Sequence, residues 1–261
     1  MESVGIAGFL TLVEIAGLFF VIYYGFKIKP DLLQEWGSLI PPFELSAWAG
    51  ISAAGLLAFF AFIGFEDLAN IAEEVKDPRR SLPKAIILTI LIATAIYLAV
   101  VSVVVLTVPM DRLSASASPL ALLFEQADAR TRASFNLIAA VATINGVLIQ
   151  MIMSSRVLYG LAAKGQLPER LAYVSPKTHT PVYATILVVS LILILALFLP
   201  IARLAEMTSQ ITLTVFSFVN LALIVFKARN KSRDEDVFTV PMAIPVIGFV
   251  TCILLLLTGF I

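Results

Sequence analysis

A single cysteine and a single histidine are all that 261 residues provide toward soft metal ligands or redox chemistry. Cys252 lies in an apolar run, so no internal disulfide can form, and it reads as a small apolar filler. His179 stands in a basic loop without the further ligands a metal needs, and it reads as solvated. Charge is scarce as well, at 14% of residues. Eighteen Lys and Arg against eighteen Asp and Glu leave no bulk sign that would attract nucleic acid. His-Glu-x-x-His, Gly-x-Ser-x-Gly and any acid pair spaced for catalysis are missing, so neither an enzyme nor a cofactor is expected. The opening MESVGIAGFL has no basic n-region and no small-residue cleavage site, and no removable signal peptide is expected. Strand-like alternation and low-complexity linkers are absent too.

Apolar side chains are abundant. The chain is 60% hydrophobic with a mean hydropathy of +0.99, well outside the range of a soluble domain. Apolar runs near the roughly 20 residues that cross a bilayer cover 5–26, 45–65, 85–108, 133–163, 182–199, 204–226 and 243–261. Seven spans are therefore expected in an all-α, multi-pass integral membrane protein. Pro41-Pro42 precedes the second span, and Pro83 is placed to open the third, where a missing N–H costs little. Pro109 and Pro200 close the third and fifth spans, since helices rarely continue into proline. Residues 31–42 and 109–131 read as loops on one side, with Trp36 and Trp48 near that interface.

Lys and Arg set the orientation. One set of loops carries Lys76, Arg79, Arg80 and Lys84, then Lys164, Arg170 and Lys177, then Lys227, Arg229, Lys231 and Arg233. The alternate loops carry Lys27 and Lys29, then Arg112, Arg130 and Arg132, then Arg203. The richer set is assigned to the cytoplasm, which puts the N-terminus inside.

Polar residues within the spans are the candidates for chemistry. Glu14 sits near the middle of the first span, where a charge costs roughly 2.5–3.5 kcal/mol. It is either a proton or cation relay or the donor's partner in a structural bond to a neighbouring helix, and the second reading is favoured. Asn136, Thr143, Gln150 and Ser154 fall on one face of the fourth span with Gly146. Such a stripe lines a cavity or packs on other helices, and the cavity is preferred. Ser209, Thr212, Ser217 and Asn220 in the sixth span read mainly as helix–helix contacts. Most informative is the run 56–84, in which Gly64 interrupts an apolar stretch between Phe62-Ile63 and Phe65, and Glu66 and Asp67 follow at once. Either the helix breaks there and frees backbone groups, which in a membrane survive only beside a cavity or ligand, or Gly64 lies in an ordinary span. Periodicity does not separate the two.

The run FFAFIGFEDLANIAEEVKDPRRSLPKAI resembles the sixth-helix signature of amino acid–polyamine–organocation permeases. SRVLYGLAAKGQLP at 155–168 resembles the end of their helix eight, and TLVEIAGLFFVIYYG at 11–25 their helix five. The resemblance implies the second repeat of an inverted five-helix-repeat (LeuT-like) transporter fold. Residues 1–26 would be the last helix of the first repeat, 43–227 the second repeat and 243–261 an additional helix. The chain would thus be the C-terminal portion, helices five to eleven of the usual twelve. The rest would be lost by truncation or supplied by a companion chain. The resemblance further implies a break at Gly64 that holds the amino group of an amino acid or amine. Phe62, Ile63, Gly64, Phe65 and Glu66 would form the site, with Phe62 and Phe65 packed over the substrate. Glu66 and Glu14 would be candidates for proton linkage, and Thr143, Gln150 and Ser154 for cavity lining. A secondary carrier in the plasma membrane is expected, with substrate and the lipid bilayer as partners and no nucleic acid. A membrane subunit that does not transport, or a relic of a permease, is the rival reading.

Overall fold

The computed structural model describes residues 2–70, 72, 75–229 and 238–259, with side chains described except for residues 2–7 and 70. Glu73, Glu74 and the basic loop at 230–236, expected in water, lie outside the described residues. Among those residues the chain is helical without strands. It forms two compact units, one of Met1–Ile40 with Ile92–Val189 and one of Pro41–Leu91 with Ser190–Ile261. The helices are α1 (Glu2–Ile28), α2 (Leu45–Phe60), α3 (Asp67–Asn70), α4 (Pro78–Thr107), α5 (Met110–Ala115) and α6 (Pro119–Leu122). After them come α7 (Ala129–Ala163), α8 (Val182–Phe198), α9 (Ile201–Arg229) and α10 (Ala243–Thr258). Among the described residues, segments of α1, α4, α7 and α9 are long and apolar enough to cross a membrane. α2, α8 and α10 are shorter apolar helices.

Several helix ends follow from local chemistry. The Asp128 carboxylate caps α7, accepting the Thr131 amide at 3.1 Å and its hydroxyl at 2.6 Å. At the far end of α7, Gly165 takes φ +74°. Its amide donates to Ala162 O, and the Gln166 amide reaches back to Leu161 O, each at 3.0 Å. This left-handed stop satisfies carbonyls the helix would otherwise orphan. Within the spans, hydroxyls donate to carbonyls four residues earlier, as Thr107 does to Val103, Thr208 to Leu204 and Thr214 to Gln210. In a medium with no water to offer, that keeps each hydroxyl satisfied.

Two expectations need correction. Pro83 does not open its helix: α4 begins at Pro78 and carries Pro83 inside its second turn. The Asp77 carbonyl accepts the Arg80 and Ser81 amides at 3.2 and 3.0 Å, so the helix is already wound before Pro83 arrives. The segments expected as plain loops also contain structure. Leu32–Leu39 is a 3-10 helix, and α5 and α6 lie in the second.

In the first unit the core gathers on Phe124, which is 0% exposed. Its ring stacks on Phe20, Tyr24 and Phe135 at 5.3, 4.7 and 4.3 Å between centroids. Tyr24 and Phe20 come from α1 and Phe135 from α7, so Phe124 anchors the connection after α6 on these two helices. In the second unit α9 packs on both α2 and α10, and α10 also touches α2. Leu56, Leu213 and Cys252, one from each helix, form the centre. Ser217 donates to Leu213 O on its own helix at 2.8 Å.

Candidate functional site

The second unit contains an interrupted helix. α2 ends at Phe60, and residues 61–66 form a run of turns before the short α3. The interruption thus begins three residues ahead of Gly64. Over its last turn the chain tightens: the amides of Ala61, Phe62 and Ile63 donate three residues back, to Ala58, Phe59 and Phe60, at 3.0–3.2 Å. Gly64 then takes φ +121°, a conformation a side chain strongly disfavours. Its amide donates to Glu66 Oε2 at 2.8 Å. The chain rewinds through Asp67, Leu68 and Ala69, whose amides donate to Gly64, Phe65 and Glu66 at 2.9–3.3 Å.

This accounting leaves particular groups over. Among the described residues, no backbone bond takes the carbonyls of Ala61 and Ile63 or the amides of Phe65 and Glu66. All of these residues except Ala61 are half-buried, as are Phe62 and Gly64. Buried backbone groups are rarely left unmet in native proteins, so this stretch can accept a polar ligand. The carbonyls close the end of α2, where the helix dipole favours positive charge. One wall is aromatic: Phe65 of the turn and Phe59 of α2 flank Phe216 of α9, at 5.6 Å tilted and 6.1 Å edge-on. Phe216 carries no signal in the sequence that would link it to residue 65.

The remaining predicted residues belong to the first unit. Glu14 of α1 accepts a hydrogen bond from Asn145 Nδ2 of α7 at 2.6 Å. Asn145 is 4% exposed. The pair depends on close helix approach, because a Cβ added at Gly17 would stand 2.5 Å from Ile138 Cγ2. Glu14 meets Asn145 while Gly17 meets Ile138, so α1 and α7 run antiparallel. Thr143, Gln150 and Ser154 lie on the exposed face of α7 with Asn136 and Gly146. Thr143 donates to Ala139 O at 2.9 Å. The buried polar residues of α7 are Asn145 and Ser155, neither of which belongs to that stripe.

An interrupted, glycine-centred helix with an acid on its rewinding turn is what the resemblance to permeases implied. The sequence matches the amino acid permease family over residues 2–261. The chain belongs to that family. A branched-chain amino acid permease of Bacillus subtilis is 29% identical over 92% of this chain and 50% of its own length. The human cationic amino acid transporter 4 is 30% identical over 87% of the chain and 35% of its own length. A methylthioribose transporter of Bacillus subtilis is 26% identical over 97% and 54% respectively. The chain therefore spans about half, or less, of the length of these relatives. It is an all-α, multi-pass membrane permease chain, and the family points to transport rather than catalysis.

Proposed function

We propose that this permease chain carries one half of the binding site of a secondary transporter for amino acids or related amines. The observation that carries the reading is the interruption at 61–66, with its positive-φ Gly64 and unspent carbonyls. The carbonyls of Ala61 and Ile63 would accept the substrate ammonium, and Phe62 and Phe65 would pack over its side chain. Glu66 holds the turn through the Gly64 amide and is a candidate for proton linkage. Glu14, bonded to Asn145, is a second candidate. Thr143, Gln150 and Ser154 would line the aqueous path. Relatives that move branched-chain or cationic amino acids support a substrate with a free amino group. One that moves methylthioribose warns against narrowing it further.

In this reading residues 1–26 close a first repeat, 43–227 form the second and 243–261 add a helix. Substrate held between repeats needs both, so transport belongs to the chain together with the further helices of its relatives, from the same or a companion polypeptide. The Lys and Arg distribution supports a cytoplasmic N-terminus, and the plasma membrane is the membrane this reading assigns. Labelled amino acid uptake by such a completed permease, compared with its Gly64→Val variant, tests the site. Cysteines placed at 77–81 and 166–176 in a Cys252→Ala background test the orientation, since an impermeant thiol reagent should not reach them from outside.

A further inference from the structure

The first unit holds a cavity of about 200 Å³ that the transport reading does not use. Three elements wall it: α1 with Ile22 and Phe26, the 3-10 helix with Leu32 and Trp36, and α4 with Ala99 and Val103. Among the described residues no charged side chain lines it, the Trp36 indole N–H is its one side-chain donor, and that N–H has no hydrogen-bond partner. A trapped water needs several polar partners, and this lining does not supply them.

The cavity cannot close by collapse of its walls. α1 and α4 already touch beside it, so closely that a Cβ at Gly25 would collide with Val103 Cγ1. Leu32 is 2% exposed and packs with Val103 and Val104 in the core. Lys29 ties the 3-10 helix to α4, donating to Glu35 of the first and to Leu106 O of the second. Phe26 stands two residues before the end of α1, and Leu106, which also lines the cavity, one before the end of α4. The space therefore lies at the ends of two spanning helices beside a tryptophan, at the depth where lipid esters give way to tails.

We propose that this cavity takes one acyl chain of a bilayer glycerolipid, with the ester carbonyl on the Trp36 indole N–H and the first methylenes between α1 and α4. An apolar cavity of about 150 Å³ takes one benzene, so about 200 Å³ suits about eight carbons of a chain and not four fused sterol rings. A tail gains nothing hydrophobic by leaving other tails. What it gains is contact with walls that would otherwise face a void. A free fatty acid would bring a carboxylate that the lining cannot meet. The glycerolipid offers a neutral acceptor and a tail together.

The test uses the full chain carrying Trp48→Phe, which leaves Trp36 as its one tryptophan. It is placed in phosphatidylcholine bilayers with a minor fraction of phosphatidylcholine bearing a brominated chain, which quenches nearby indole. Ala99→Phe fills the cavity and should reduce quenching severalfold, while Leu98→Phe, at a position 62% exposed, should leave it unchanged. Unlabelled ester lipid should displace the brominated lipid about fivefold better than its ether-linked analogue, the worth of one ordinary hydrogen bond. That comparison needs no cavity variant, so it decides the matter even if Ala99→Phe fails to fold. Equal quenching of parent and Ala99→Phe would overturn the proposal, since all of it would then come from surrounding lipid. So would equal displacement by ester and ether lipids. Quenching that rises as the chains are diluted in the bilayer would also overturn it, because a second copy would then be the occupant.

Discussion

Glu66 folds back on the chain to accept the Gly64 amide at 2.8 Å, so its carboxylate fastens the turn that interrupts α2. The bond needs an acceptor oxygen and does not need a charge. In the completed permease Glu66→Gln should keep the turn and substrate binding. Glu66→Ala should leave the half-buried Gly64 amide without a partner, at about 1–3 kcal/mol. Thermal midpoints together with uptake separate the two, and equal damage from both would deny the capping role.

Glu14 and Asn145 should show energetic coupling. Hydrogen bonds between membrane helices are worth on average about 0.6 kcal/mol and at most about 1.7 kcal/mol in double-mutant cycles. A cycle of Glu14→Ala and Asn145→Ala should fall in that range, with Glu14→Gln close to the parent because its amide oxygen still accepts. A coupling of zero would remove the pair from the account of α1–α7 packing.

Gly17 should tolerate no side chain. Gly17→Ala places a methyl 2.5 Å from Ile138 Cγ2 and should destabilise the chain by about 1–3 kcal/mol, as overpacking does. Ile138→Ala removes the obstructing atom and should recover part of that loss in the double mutant.

The cap of α7 should titrate. The Thr131 hydroxyl, and after it the Thr131 amide, hold the Asp128 carboxyl below its ordinary value of 3.8. A carboxyl depressed on folding contributes stability above that ordinary value and loses it as pH falls through the lower folded one. The protection factor of the Thr131 amide, corrected for the intrinsic exchange rate, should therefore hold above about pH 4 and fall at lower pH. The Asp128→Asn chain should lack that step.

Legibility in the sequence depended on distance along the chain. The break near Gly64 left a local mark, a glycine between aromatics with two acids directly after it, though periodicity alone also allowed a straight span. The start of the interruption at Ala61 left none, since Ala61 and Phe62 are as apolar as the helix they leave. Pro83 misled because proline is usually a boundary, yet here a wound turn precedes it. Glu14 stood out as an acid in an apolar span, but Asn145 is 131 residues away, and no spacing rule reaches that far. Phe124 and Phe216 organise their units, yet each is one phenylalanine among eighteen. Only packing distinguishes them.

The central claim is that the interruption at Gly64 is where substrate meets backbone. Gly64→Val forces a β-branched residue to φ +121°, at roughly 1–3 kcal/mol of strain. The decisive measurement is the initial rate of labelled amino acid uptake by the completed permease carrying Gly64→Val, normalised to the amount inserted in the membrane. The account predicts normal insertion with uptake below about a tenth of the parent, since each 1.4 kcal/mol is tenfold. Uptake at the parent rate would contradict it.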